Sequence, residues 1–199
     1  YEDNMLQISN FIEQLHSIII YFKIKKCHLV GHSWGSIIAH EYYLKKYISV
    51  ESIIFYSPSL DIKLWQNQAN IYMKDIKKSC NNCNYNKLYE KKHIVDIVKL
   101  DRYIKNYNNN LYKHIWGKSE YNVSGLLKNY KYFPIKSKQH ILFLTGEYDT
   151  ASPNSVKQLS SQVRGSTFKI IKNSRHVSHL EKPNKFNSIL VRFYLKYYK

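Results

Sequence analysis

No stretch of this sequence is apolar for long enough to span a bilayer. Ile18, Ile19 and Ile20 belong to a short amphipathic helix, so no integral membrane segment is expected. No signal peptide is visible either, and a cytoplasmic location is the expectation. Cysteine is scarce: Cys27, Cys80 and Cys83 are too few for a disulfide framework. Cys27 falls on an apolar strand and reads as a buried thiol. Cys80 and Cys83 form a C-x-x-C pair with no His or Cys partner at ligand spacing, so a loop with two thiols is expected rather than a zinc site. No metal and no cofactor is called for.

Acidic residues are also few, 14 Asp+Glu against 31 Lys+Arg, for a net charge of +17. Arg102, Arg164, Arg175 and Arg192 are the only arginines, so the excess is lysine. A basic patch of that size attracts nucleic acid or anionic membrane when it is clustered. Here the lysines are spread along the chain and accompany abundant Asn, Ile and Tyr, the residues of A/T-rich codons. With no nucleic-acid motif in view, no nucleic-acid partner is expected.

What the chain does contain is 199 residues, enough for one domain with a real core. Its organising stretch is Leu29-Val30-Gly31-His32-Ser33-Trp34-Gly35-Ser36. Lys26 to Val30 reads as a buried strand. Ile37, Ile38, Ala39, Tyr42, Tyr43 and Leu44 then recur at helical spacing. Ser33 therefore sits on a sharp strand-to-helix turn between Gly31 and Gly35, the G-x-S-x-G pattern of a nucleophile elbow. Both glycines are expected to clear a close approach of helix and strand. The helix N-terminus favours a developing oxyanion, and the Trp34 backbone N–H is the candidate oxyanion donor.

Around this stretch the chain alternates. Asp3 to Phe22 reads as a helix with an apolar stripe of Leu6, Phe11, Ile12, Leu15, Ile18, Ile19 and Phe22. Val50, Ile53, Ile54 and Phe55 form the next strand, ended by Ser57-Pro58. From Ser59 to about Ser137 amphipathic helical pieces, around Leu64 to Ile76 and Tyr89 to Tyr103, alternate with Asn-rich loops. Strands return at His140 to Gly146 and Phe168 to Ile171, with helices opening at Pro153 and ending the chain. Strand–helix alternation predicts a parallel sheet. The expected organisation is an α/β core of 1–58 and 138–199 with a helical cap of 59–137.

Ligands in such a sheet bind at the carboxyl ends of the strands. Ser33, Asp149 and His176 each lie just past one, in the order Ser, Asp, His. Taken singly, Asp149 is ordinary turn chemistry and His176 a surface-loop histidine. Together they supply a nucleophile, an orienting acid and a base. A His176 base predicts activity that falls with acid near the ordinary histidine value of about 6.5. His179, three residues on, is the competing histidine and is expected to be a pocket or structural neighbour.

The chain resembles the proline iminopeptidase family of α/β hydrolases. Gly31-His32-Ser33-Trp34-Gly35-Ser36 resembles its elbow, and Ser57-Pro58-Ser59-Leu60 with Trp65 and Asn70 resembles the start of its cap. Trp116 to Gly125 resembles its cap signature, Gly-Pro-x-Glu-Phe-x-(hydrophobic)-x-Gly. Thr145-Gly146-Glu147-Tyr148-Asp149 and Asn173-Ser174-Arg175-His176 resemble its acid and histidine loops. The resemblance implies an α/β-hydrolase fold lacking its N-terminal strands, with an α-helical cap. It implies a prolyl aminopeptidase, a serine hydrolase that releases an N-terminal residue, typically proline, from a small peptide through an acyl-enzyme. It also implies that Glu120 binds the substrate's free amino group, since a carboxylate pairs with an ammonium.

Three positions depart from the family. Thr150 stands where a second amine-binding glutamate is frequent, 78–110 is shortened and Asn-rich, and Arg175 replaces a small residue. The family's His-Gly-Gly-Pro-Gly loop, a second oxyanion donor, is not in this sequence. Two alternatives therefore stay open: an esterase, lipase or amidase acting on acyl substrates with the same triad, or an inactive fragment lacking the oxyanion loop.

Overall fold

The computed structural model describes residues 6–93, 108–136 and 139–197. Four parallel strands form the main sheet in the order β1-β2-β5-β6: β1 is Lys26–His32, β2 Ser49–Tyr56, β5 His140–Gly146 and β6 Thr167–Ile171. Helix α1 (Ile8–Tyr21) precedes β1, α2 (Gly35–Lys45) joins β1 to β2, and α6 (Pro153–Ser161) joins β5 to β6. A short helix, α7 (Ser178–Glu181), and the long α8 (Pro183–Tyr197) close the chain.

The apolar runs of β2 and β5 are explained by burial on both sides. Alternate side chains of a strand point to opposite faces. Ile53, Phe55, Ile141 and Phe143 pack with Ile12, Ile37, Tyr42, Val156 and Leu159 of α1, α2 and α6. Ile54, Tyr56, Leu142 and Leu144 pack with Phe186 and Phe193 of α8. Each such fully buried side chain contributes about 1.5–3 kcal/mol of apolar transfer.

Strand β1 departs from the expectation of a buried strand. It pairs only with β2 among the described residues, and its burial alternates: Leu29 is buried while Val30 is 52% exposed. The apolar stripe of α1 is likewise narrower than the sequence predicts. Ile12 and Ile19 are buried, whereas Ile18 and Phe22 face outward. Residues 3–5 of the expected helix lie outside the described residues.

The segment between β2 and β5 holds α3 (Ile62–Ser79), α4 (Tyr85–His93) and α5 (Asn109–Trp116). The Asp61 side chain accepts from the Leu64 N–H and caps α3, and Asn108 does the same for α5 at Asn110 and Leu111. The segment is not wholly helical. β3 (Gly117–Ser119) and β4 (Asn122–Val123) form a small antiparallel pair. A Cβ on Gly117 would meet Ser124 Oγ at 2.2 Å, and the residue's φ is +78°, so the tight turn into β3 requires glycine. Cys80 and Cys83, expected as two thiols, are joined in a disulfide between α3 and α4. The predicted helix of Tyr89 to Tyr103 is α4 as far as His93; its remainder lies outside the described residues. Among the described residues no helix is long and apolar enough to cross a membrane.

Candidate active site

The parallel register brings the carboxyl ends of the strands to one edge. His32 lies opposite Tyr56, Tyr56 opposite Leu144, and Gly146 opposite Ile171. Ser33, Asp149 and His176 follow three of these ends.

Ser33 has a φ of +54°, a left-handed backbone that a non-glycine residue adopts only under constraint. The constraint is visible. Its N–H donates to the Tyr56 carbonyl at 3.0 Å, and its carbonyl accepts from the Ser36 N–H and hydroxyl. A Cβ on Gly31 would lie 2.6 Å from both Gly35 O and Ser36 Cα, so only glycine passes there. Gly35 differs from the expectation: a Cβ there meets nothing within 4 Å. One glycine provides the clearance, not both. Trp34 occupies the N-cap position of α2 beside Ser33, and its side chain makes no capping hydrogen bond.

Asp149 is fully buried. Its Oδ1 accepts from the Ala151 N–H at 3.0 Å, and its Oδ2 accepts from the Thr145 hydroxyl at 3.2 Å. His176 Nδ1 lies 3.0 Å from Asp149 Oδ1. Burial pushes the Asp149 carboxyl up, opposed by nearby His93 and the Ala151 N–H.

The histidine loop is laced to the acid loop. Gly146 lies against it so closely that a Cβ would meet the Arg175 carbonyl at 2.2 Å. The Tyr148 N–H donates to the Ser174 carbonyl. The His176 carbonyl accepts two hydrogen bonds, from the Tyr56 hydroxyl and from His32 Nε2, each at 3.0 Å. A ring nitrogen facing a carbonyl must carry the proton, which fixes the His32 tautomer. His179 sits elsewhere: its N–H and Nδ1 both face the Tyr56 hydroxyl. Burial, then His179, pushes His176 down to about 3, away from the value of about 6.5 expected for an ordinary histidine.

Ser33, Trp34, His176 and Glu120 line one cavity of about 650 Å³. Glu120 Oε1 accepts from the Tyr112 hydroxyl at 3.4 Å, and Oε2 makes no hydrogen bond among the described residues. Burial pushes the Glu120 carboxyl up to about 8. The wall also holds a residue that the sequence reading passed over. His93, at the end of α4, stacks on His176 with ring centroids 4.0 Å apart. Its Nδ1 lies 2.8 Å from Thr150 Oγ1 and its Nε2 3.6 Å from Glu120 Oε2. No local signal marks it, because it lies in an Asn- and Lys-rich stretch and meets its partners only through packing. His93, Asp149 and His176 present ligand atoms within 4.8 Å of one another. Within this cluster Asp149 is hydrogen-bonded to His176, and His93 to Thr150.

Comparison with known proteins identifies the fold family. Residues 4–183 match the family described as the alpha/beta hydrolase fold. A proline iminopeptidase of Heyndrickxia coagulans is 27% identical, over 96% of this chain and 75% of its own length. One from Lactobacillus crispatus is 24% identical, over 90% of this chain and 69% of its own. The crystal structure of the proline iminopeptidase of Mycobacterium smegmatis superposes with a TM-score of 0.78 at 16% identity, covering 98% of this chain and 74% of that one.

Proposed function

The chain belongs to the α/β-hydrolase fold family, and on that premise we propose that it is a serine hydrolase of the proline iminopeptidase kind. It would release an N-terminal residue, typically proline, from a small peptide. The observation that carries the reading is the Asp149–His176 hydrogen bond beside a cavity that Ser33 and Glu120 also line. In the same proposal the core is 1–58 with 138–199, and the cap is 59–137.

The chemistry follows from these groups. The Ser33 hydroxyl gives its proton to His176 as its oxygen attacks the substrate carbonyl. The oxyanion takes the Trp34 N–H, and Asp149 stabilises the imidazolium. His176 then returns the proton to the leaving amine, and the C–N bond breaks, leaving an ester on Ser33. Water, deprotonated by His176, cleaves that ester and releases the free amino acid. Glu120 anchors the substrate's amino group, so that an unblocked N-terminus is preferred.

Two observations favour a second reading, an esterase or amidase with the same triad. Thr150 offers a hydroxyl where a second carboxylate would hold an ammonium. Glu120, pushed up to about 8, keeps a proton at neutral pH.

The experiment is labelling with a fluorophosphonate probe, followed by turnover of a prolyl arylamide, its N-acetyl form and a simple acyl ester. Labelling at Ser33, lost in Ser33→Ala, with faster cleavage of the free amine, is the expected result. No labelling at Ser33 overturns the serine hydrolase. Equal cleavage of the free and acetylated forms transfers the case to the esterase.

A further inference from the structure

His93 closes the described part of α4 and sits in the cavity wall between Thr150 and Glu120. Each edge of its ring faces a partner: Nδ1 is 2.8 Å from Thr150 Oγ1 and Nε2 is 3.6 Å from Glu120 Oε2. Its faces are also occupied by ring contacts. It stacks on His176 at 4.0 Å and lies parallel to Tyr89 at 5.7 Å. The Tyr89 hydroxyl reaches Thr150 Oγ1 at 3.3 Å, which extends the polar contacts behind the imidazole. A buried imidazole is stable where a nitrogen is hydrogen-bonded, here Nδ1 with Thr150, and its other nitrogen lies within ion-pair distance of the one carboxylate assigned to the substrate.

Resting on the amine-anchoring reading of Glu120, we propose that His93 is a specificity-determining residue that shares Glu120 with the substrate's amino group, so that this subsite takes uncharged or N-blocked acyl groups alongside free amines. The reason is chemical. A carboxylate with no internal partner gives its whole charge-assisted interaction to an incoming ammonium. Glu120 has its open oxygen beside an imidazole. When Glu120 is ionised, Nε2–H points its dipole at the carboxylate. When Glu120 is protonated, the neutral carboxyl stays in polar contact with the ring at 3.6 Å without a hydrogen bond. In both states the ring takes up part of the interaction, and the pair presents a polar surface that a neutral group also satisfies. The groups facing this pair are Tyr112, Tyr89, Glu90 and Asp149 around Glu120, and His176, Asp149 and His32 around His93. Burial keeps His93 well below the ordinary histidine value, so it meets Glu120 as a neutral ring.

The test measures kcat and KM for a prolyl arylamide and its N-acetyl form, using the chain as it stands and its variants His93→Phe, His93→Gln and Glu120→Gln. His93→Phe keeps a flat ring against His176 and removes both nitrogens. It is expected to raise the preference for the free amine by about tenfold, through KM of the free-amine substrate. His93→Gln, whose amide offers a donor and an acceptor, is expected to return the preference toward the parent value. If His93→Phe does not fold, His93→Ala takes its place. An unchanged preference, or an equal fall in kcat for both substrates, overturns the proposal while Glu120→Gln still lowers the preference. If Glu120→Gln itself leaves the preference unchanged, the amine-anchoring reading fails, and this inference fails with it.

Discussion

His93 and His176 lie ring on ring, centroids 4.0 Å apart and planes 27° apart, and the His176 N–H donates to the His93 carbonyl at 3.1 Å. The segment between β2 and β5 therefore does more than cover the sheet. It holds the histidine loop through both a backbone hydrogen bond and a stacked ring. The Tyr56 hydroxyl and His32 Nε2 hold the same residue from the sheet side, at its carbonyl. His176 is thus positioned by three elements distant from it in sequence, with Asp149 setting its ring.

The proposed triad predicts steep and non-additive losses. Ser33→Ala and His176→Ala should each lower kcat/KM by about a thousandfold or more, and the double variant should lose little further, because the two act as one unit. His179→Ala should cost far less, since its hydrogen bonds are to Tyr56 and not to Asp149. Kinetics on a prolyl arylamide check this. A dead His179→Ala beside a working His176→Ala would exchange the two assignments.

The pH dependence has a sign. A histidine base works when neutral, so activity is present above its folded pKa and lost as pH falls through it. Burial and His179 lower that value to about 3. For a simple acyl ester, which does not call on Glu120, the acid limb of kcat/KM should then lie well below the ordinary value of about 6.5. A pH–rate profile with its midpoint near that ordinary value would show that the imidazole is solvated in the working enzyme.

The same burial links protonation to stability. His32 is pushed down to about 3 and His93 well below its ordinary value, each chiefly by burial. Below about 6.5 the unfolded chain binds protons at these two histidines and at His176 while the folded chain does not; this outweighs the opposite contribution of the raised Glu120 and Asp149 carboxyls, so acid favours unfolding. Thermal melting should shift to lower temperature as pH drops from about 7 to 5. A melting temperature independent of pH across that window would contradict neutral, buried imidazoles.

The two elbow glycines should respond differently. Gly31→Ala places a methyl 2.6 Å from backbone atoms that cannot move aside without distorting the turn at Ser33. It should destabilise by about 1–3 kcal/mol. Gly35→Ala meets nothing within 4 Å and adds helix propensity at the start of α2, so its stability should match or slightly exceed the parent's. Denaturant unfolding of both variants distinguishes them; equal losses would mean that the close approach at Gly31 is not a constraint.

The excess of lysine carries a simpler expectation. With the charge dispersed and no motif to use it, binding to DNA or RNA should be weak at low salt and fade by physiological salt. A titration against duplex and single-stranded oligonucleotides at two salt concentrations reads this, and tight binding at the higher one would assign the charge a partner.

Sequence alone determined what rests on local pattern. The apolar runs at β2 and β5 announce strands buried on two faces, and Gly31-His32-Ser33-Trp34-Gly35 announces the strand–turn–helix that strains Ser33. Asp149 and His176 were legible as residues just past strand ends, because a parallel sheet puts all such ends on one edge. Other features depended on packing. β1 reads as apolar, yet Val30 is exposed, since burial depends on what covers a strand and not on its composition. Cys80 and Cys83 are close in sequence, but only the turn between α3 and α4 brings them together as a disulfide. The tertiary structure alone put His93 against Thr150, 57 residues away, and beside Glu120. Contacts between segments that distant follow from how the segment between β2 and β5 packs on the rest of the fold, which is set by many side chains at once and leaves no spacing for a sequence to display.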